Sequence, residues 1–123
     1  MVYTESEKKK MDQIREVFKE HIQKSPNCEL LWSDKVGYVW LAIGLEPLYA
    51  DTCQRMENAE ELCRECLDDI AADVLFLSGN DHGRHNADPH EKEEIHAHWK
   101  PFMEQLPEYA YLCEELLSES ESI

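Results

Sequence analysis

Five of the six histidines in this 123-residue chain fall between His82 and His98, interleaved with carboxylates. Imidazole and carboxylate together are the ligand set of zinc, manganese and iron. The spacing narrows what they can do. A zinc-protease helix needs two histidines four residues apart with a glutamate beside the first. Here Glu94 stands four residues after His90, and the next histidine, His96, comes two residues later. His96 and His98 are two apart, which turns them about 200° from each other on a helix, so they cannot share an ion there. One facial set remains. Glu91, Glu94 and His98 recur at steps of three and four, and His82 or His85 could reach that face from the preceding segment. These five residues are the candidate ligands, with a divalent metal such as zinc as the ion.

The same residues have a competing use. In "DPHE", Asp88 is placed as a helix N-cap, Pro89 as the first helical residue and Glu91 as the partner that closes a capping box. Glu94 and His98 form an ordinary i, i+4 surface pair. The helix start thus accounts for Asp88, Pro89 and Glu91 without a ligand. The expectation is a polar loop running into a helix, with His82 and His85 outside coordination distance.

Other candidate chemistry is sparse. Cys63 and Cys66 could be half of a zinc site, but no second Cys-x-x-Cys exists to complete it. A redox pair belongs at a helix N-terminus, where the dipole lowers the thiol pKa. These two lie instead on an apolar helical stripe and read as small core residues. Asp81, His82, Arg84 and His85 could serve acid–base chemistry, yet the spacing matches no hydrolase triad, nucleophile elbow, phosphate loop or dinucleotide fingerprint. The sequence gives no evident catalytic machinery, and enzymatic function is not the favoured reading.

The elements that must position these residues follow from periodicity. Thr4 caps a helix over 4–24, with Met11, Ile14, Val17, Phe18 and Ile22 on one face. "CELLW" and "GYVWLAI" flank a polar turn and predict a hairpin over 28–43. Its second arm is apolar on both faces, so a lone hairpin must lie on helices or pair its edge with another copy. Residues 51–77 read as one long helix, with Asp51/Gln54 and Asn58/Glu61 as two competing capping boxes. A loop spans 78–88, a helix 89–106 is kinked near Pro101, and a last helix spans 107–117 before a frayed tail, 118–123. The fold class expected is α+β, predominantly helical, in the order α-β-β-α-α-α, with one hairpin on a helical layer in a single domain of 1–123.

Charge bounds the partners. The net charge is −15. Residues 1–50 carry seven Lys/Arg against eight Asp/Glu, whereas 51–123 carry five against nineteen. Such a field repels nucleic acid and anionic membranes and suits a basic protein partner. The longest apolar run, Tyr38 to Leu45, is far too short to span a bilayer. The opening "MVYTESEKKK" is no signal peptide, and the five cysteines are odd in number, so a cytoplasmic protein with reduced thiols is expected. Three functions are compatible with this. The leading one is a small acidic interaction or regulatory module, self-associating as a homodimer through the 28–43 hairpin edge. The second is an acidic DNA mimic that inhibits a DNA-binding protein or nuclease. The third is a metal-dependent enzyme or metal-binding protein built on His82, His85, Glu91, Glu94 and His98.

Overall fold

The computed structural model describes residues 2–43, 50–77 and 87–118. The element order is α1 (Glu5–Lys24), β1 (Cys28–Ser33), β2 (Gly37–Ile43), β3 (Ala50–Arg55), α2 (Ala59–Leu77), α3 (Pro89–Gln105), a 3-10 turn (Pro107–Tyr109) and α4 (Tyr111–Ser118). This is a helix-dominated α+β fold with one strand more than the sequence predicts. Packing divides the chain into two compact units, Met1–Leu62 and Cys63–Ile123. Among the described residues no helix is long and apolar enough to cross a membrane.

In the first unit, α1 begins as expected: the Thr4 hydroxyl accepts from the Glu7 amide at 3.1 Å. The Glu7 carboxylate, however, turns to the Ala59 amide at 2.6 Å, so it satisfies an orphan N–H at the start of α2. Met11, Ile14 and Phe18 are fully buried along one face of α1. Ser25 ends the helix in extended backbone, as the proline that follows requires.

The three strands form an antiparallel sheet in the order β1-β2-β3. Ser33 accepts from the amides of Lys35 and Val36, which tightens the turn, and Gly37 closes it at φ +96°. The pairing puts Cys28, Leu30 and Trp32 on the same face as Tyr38 and Trp40. Tyr38 and Trp40 are buried there. The opposite face carries Leu31, Val39, Leu41 and Cys53, of which Leu31 and Cys53 are exposed.

The third strand corrects the long helix expected over 51–77. Residues 50–55 pair with β2, and α2 starts only at Ala59. The second capping signal is the real one: Asn58 accepts from the Glu61 amide at 2.8 Å. β3 exists because β2 is a central strand whose second edge needs a ladder; its own sequence, "ADTCQR", has little strand preference. The shorter helix also shortens the acidic face on which DNA mimicry would rest. Glu57 lies before α2, and Glu61 is engaged by the Gln54 side chain and the Glu57 amide.

In the second unit the buried residues of α2, α3 and α4 include Cys63, Cys66, Leu67, Ile95, Trp99 and Leu112. Trp99 is fully buried and donates its indole N–H to the Leu67 carbonyl at 2.8 Å. Burying so large a ring with its one donor satisfied joins apolar packing to a fixed orientation. α3 runs through Pro101 to Gln105. The helix expected over 107–117 divides at Ala110 into the 3-10 turn and α4, which ends at Ser118. Arg64 of α2 pairs with Glu115 of α4 at 2.9 Å.

Candidate binding surface

The helix-start reading of "DPHE" holds in full. The Asp88 carboxylate accepts from the Glu91 amide at 2.8 Å, and the Glu91 carboxylate accepts from the Asp88 amide at 2.9 Å. Glu91 is therefore committed to the cap. Glu94 receives His90 Nε2 at 3.2 Å. His98 Nδ1 lies 2.9 Å from the Glu94 carbonyl oxygen, which can only accept, so Nδ1 is the donating ring nitrogen. The ligand atoms of Glu91, Glu94 and His98 do not gather around one point. His82 and His85 lie outside the described residues.

The cysteine pair is core. Cys63 and Cys66 are fully buried. Burial pushes the Cys63 thiol up to about 12, with a further contribution from Cys113, and burial takes Cys113 to about 11. Neither is poised as a thiolate nucleophile or metal ligand. Cys53, on β3, is exposed.

The surface with unspent binding capacity is the β1 side of the first unit. Ile43 donates its amide to the Asn27 carbonyl at 2.8 Å, which fixes the phase of the ladder. Hydrogen-bonded pairs alternate in an antiparallel ladder. Glu29, Leu31 and Ser33 therefore face β2 with their main-chain groups, and Leu30 and Trp32 turn theirs outward. β1 is an edge of the sheet, so among the described residues those groups meet no strand. Exposed edges of this kind are templates for another chain. Apolar side chains accompany it: Leu31 is 43% exposed, Trp32 37% and Val36 45%.

α1 runs alongside. A groove of about 480 Å³ lies between the last turns of α1 and β1, floored by Ile22, Leu30 and Ile43, with Arg15 and Lys19 on its helical wall and Glu29 on its strand side. That size is within the range of small-molecule and peptide pockets. Lys8, on the same flank of α1, stands 4.7 Å from the Trp32 ring centroid and pairs with Asp12 at 2.9 Å. The Trp32 indole N–H is held by Asp34 at 2.9 Å, and its ring meets the Tyr38 ring edge-on at 4.9 Å. The Tyr38 hydroxyl donates to the Asp12 carboxylate. Burial, the Asp12 hydrogen bond and its charge push Tyr38 up to about 12. Burial alone would raise Asp12; the bonds from Tyr38 and Lys8, with the charges of Lys8 and Arg15, outweigh it and hold its carboxyl below the usual value. The Asp12–Tyr38 bond thus ties α1 to the sheet at the head of the groove. Sequence reasoning found the hairpin but not this juxtaposition, since no local pattern tells which edge of a sheet stays open. No family model, curated protein or solved structure matches the chain.

Proposed function

We propose that the protein is an interaction module that captures a partner chain by strand addition at β1. The observation that carries this reading is the outward main chain of Leu30 and Trp32 on an edge strand whose neighbours Leu31 and Val36 are exposed. In strand addition the main-chain bonds supply affinity, and pockets for alternate side chains supply specificity. β1 offers both, because the groove against α1 lies on one side of the edge and Leu31 on the other.

A random peptide library displayed on phage, selected on the folded protein, tests this. Selected peptides are expected to shift the amide resonances of residues 28–33 and to stop binding when Leu30 becomes proline. Proline removes an outward N–H without cutting the β1–β2 ladder, a change that edge strands tolerate. Peptides that leave β1 resonances unmoved, or that bind Leu30→Pro equally well, contradict strand addition.

A further inference from the structure

The geometry points to an acidic extended segment as the partner, one that lays alternate carboxylates against Arg15 and Lys19 of α1 while its main chain pairs with Leu30 and Trp32. This inference rests on strand addition at β1 and names what is added.

Three observations carry it. The first is spacing. Arg15 and Lys19 are four residues apart, about 6 Å along a helix at 1.5 Å per residue. Side chains on one face of an added strand recur every second residue, about 6.7 Å apart. A Glu-x-Glu segment therefore meets both cations from adjacent same-face positions, although Arg15 also bonds the Tyr38 hydroxyl and faces the Asp12 charge, so Lys19 is the less engaged of the two. The second is charge. Lys19 has no ion-pair partner among the described residues, and the first fifty residues are almost neutral although the whole chain carries −15. Screening within about 8 Å at physiological salt leaves the local cations in control of what docks there. The third is the opposite side of the edge. Leu31 lies on the outer face by register and is exposed, so it accepts an apolar side chain, while Glu29 lines the groove on its strand side. The segment that fits is acidic toward α1 and apolar outward.

A second copy of this chain fits less well. Pairing β1 with its own copy would extend one sheet, with both α1 helices on the same face. Arg15 and Lys19 of each copy would then confront their counterparts across the new seam, like charge against like.

The test uses the intact protein and a labelled, end-blocked peptide, Thr-Val-Glu-Val-Glu-Val-Thr, with glutamine and lysine versions as controls, followed by fluorescence anisotropy. The acidic peptide is expected to bind at least about tenfold more tightly than the glutamine peptide, with the advantage fading as salt rises. Lys19→Glu should remove that advantage of the acidic peptide over the glutamine peptide. Lys19 is exposed, so the variant should keep the fold, which circular dichroism checks. Leu30→Pro should abolish binding of both. Equal binding of acidic and glutamine peptides, or indifference to Lys19→Glu, overturns the acidic partner but leaves strand addition standing. Loss of all binding in the wild type overturns both. Sedimentation adds a separate arm: a dimer that Leu30→Pro dissolves would make the second copy the occupant and overturn the acidic segment.

Discussion

The hydroxyl of Tyr3 occupies the space that a β-carbon at Gly37 would need. A methyl built on Gly37 would lie 2.5 Å from the Tyr3 oxygen and 2.6–2.7 Å from its ring carbons. The close approach has a purpose in the ladder. Met56 donates its amide to the Tyr38 carbonyl at 2.9 Å, the usual half of a hydrogen-bonded pair. The other half is replaced by a relay: the Tyr38 amide donates to the Tyr3 hydroxyl at 3.1 Å, and that hydroxyl donates to the Met56 carbonyl at 2.5 Å. Arg55 lies over the same ring, 5.0 Å from its centroid. One tyrosine near the N-terminus thus joins the open end of β2 to the end of β3.

Gly37→Ala should therefore be among the most damaging small substitutions in the chain. It forces a side chain into φ +96° and into Tyr3 at once. The backbone strain alone is of order 1–3 kcal/mol. Tyr3→Phe should cost about 1–3 kcal/mol, because it strands a buried amide and carbonyl. Urea denaturation of both variants, of Tyr3→Ala and of Tyr3→Ala/Gly37→Ala checks the coupling. The double variant should recover the clash but not the backbone strain, so additive losses would refute the contact.

At the start of α3, Glu91→Gln should leave stability within a few tenths of a kcal/mol, since glutamine also closes a capping box. Asp88→Ala should cost about 0.5–2 kcal/mol. Thermal denaturation with and without zinc separates the two roles given to Glu91. A zinc-induced rise in Tm that both Glu91→Gln and His98→Ala abolish would return these residues to metal binding.

The contrast between these two sites shows what the sequence could convey. "DPHE" was readable because a capping box is local: four consecutive residues contain the donors, the acceptors and the fixed φ of proline. The hairpin was readable from period and turn chemistry. β3 was not, because Asp51 and Gln54 imitate a capping box, and Cys53 and Met56 fall by coincidence on the three-residue steps that lead into Ala59 and Cys63. Exposure exposes the coincidence: Met56 is buried while Cys53 faces outward. Long-range pairing with β2 decided the matter against local preference. The open edge of β1 was illegible for the same reason. Arg15 and Lys19 look like any pair of surface cations until the fold sets them beside the edge strand β1; the overall acidity points to a basic partner, and the acidic one proposed above rests on that local placement alone.

Thiol chemistry should distinguish the two environments of the cysteines described above. Cys53 is exposed, whereas Cys28, Cys63, Cys66 and Cys113 are buried. Under native conditions a chromogenic disulfide reagent should react with one thiol per chain in the fast phase, and Cys53→Ser should remove it. The other four should react only as the protein unfolds. Two or more fast thiols in the wild type would contradict the burial of the remaining cysteines.

Alkaline pH should unfold the protein more readily than its carboxylate-rich composition suggests. Tyr38 is raised to about 12, Cys63 to about 12 and Cys113 to about 11, in each case chiefly by burial. A group whose pKa is raised on folding holds its proton more tightly in the native state. Its contribution is fully present below the unfolded value, near 9.0 for the thiols and 10.0 for Tyr38, and is lost as pH rises toward the folded value. Stability should therefore hold level to about pH 9 and then fall, by at most about 1.4 kcal/mol per pH unit for each group that titrates only after unfolding. Urea midpoints between pH 7 and 11 check the window. Cys63→Ala should flatten the slope above pH 9 while lowering stability at neutral pH through the small cavity it leaves. An unchanged slope in that variant would show that the Cys63 thiol ionises as readily in the folded chain as in the unfolded one.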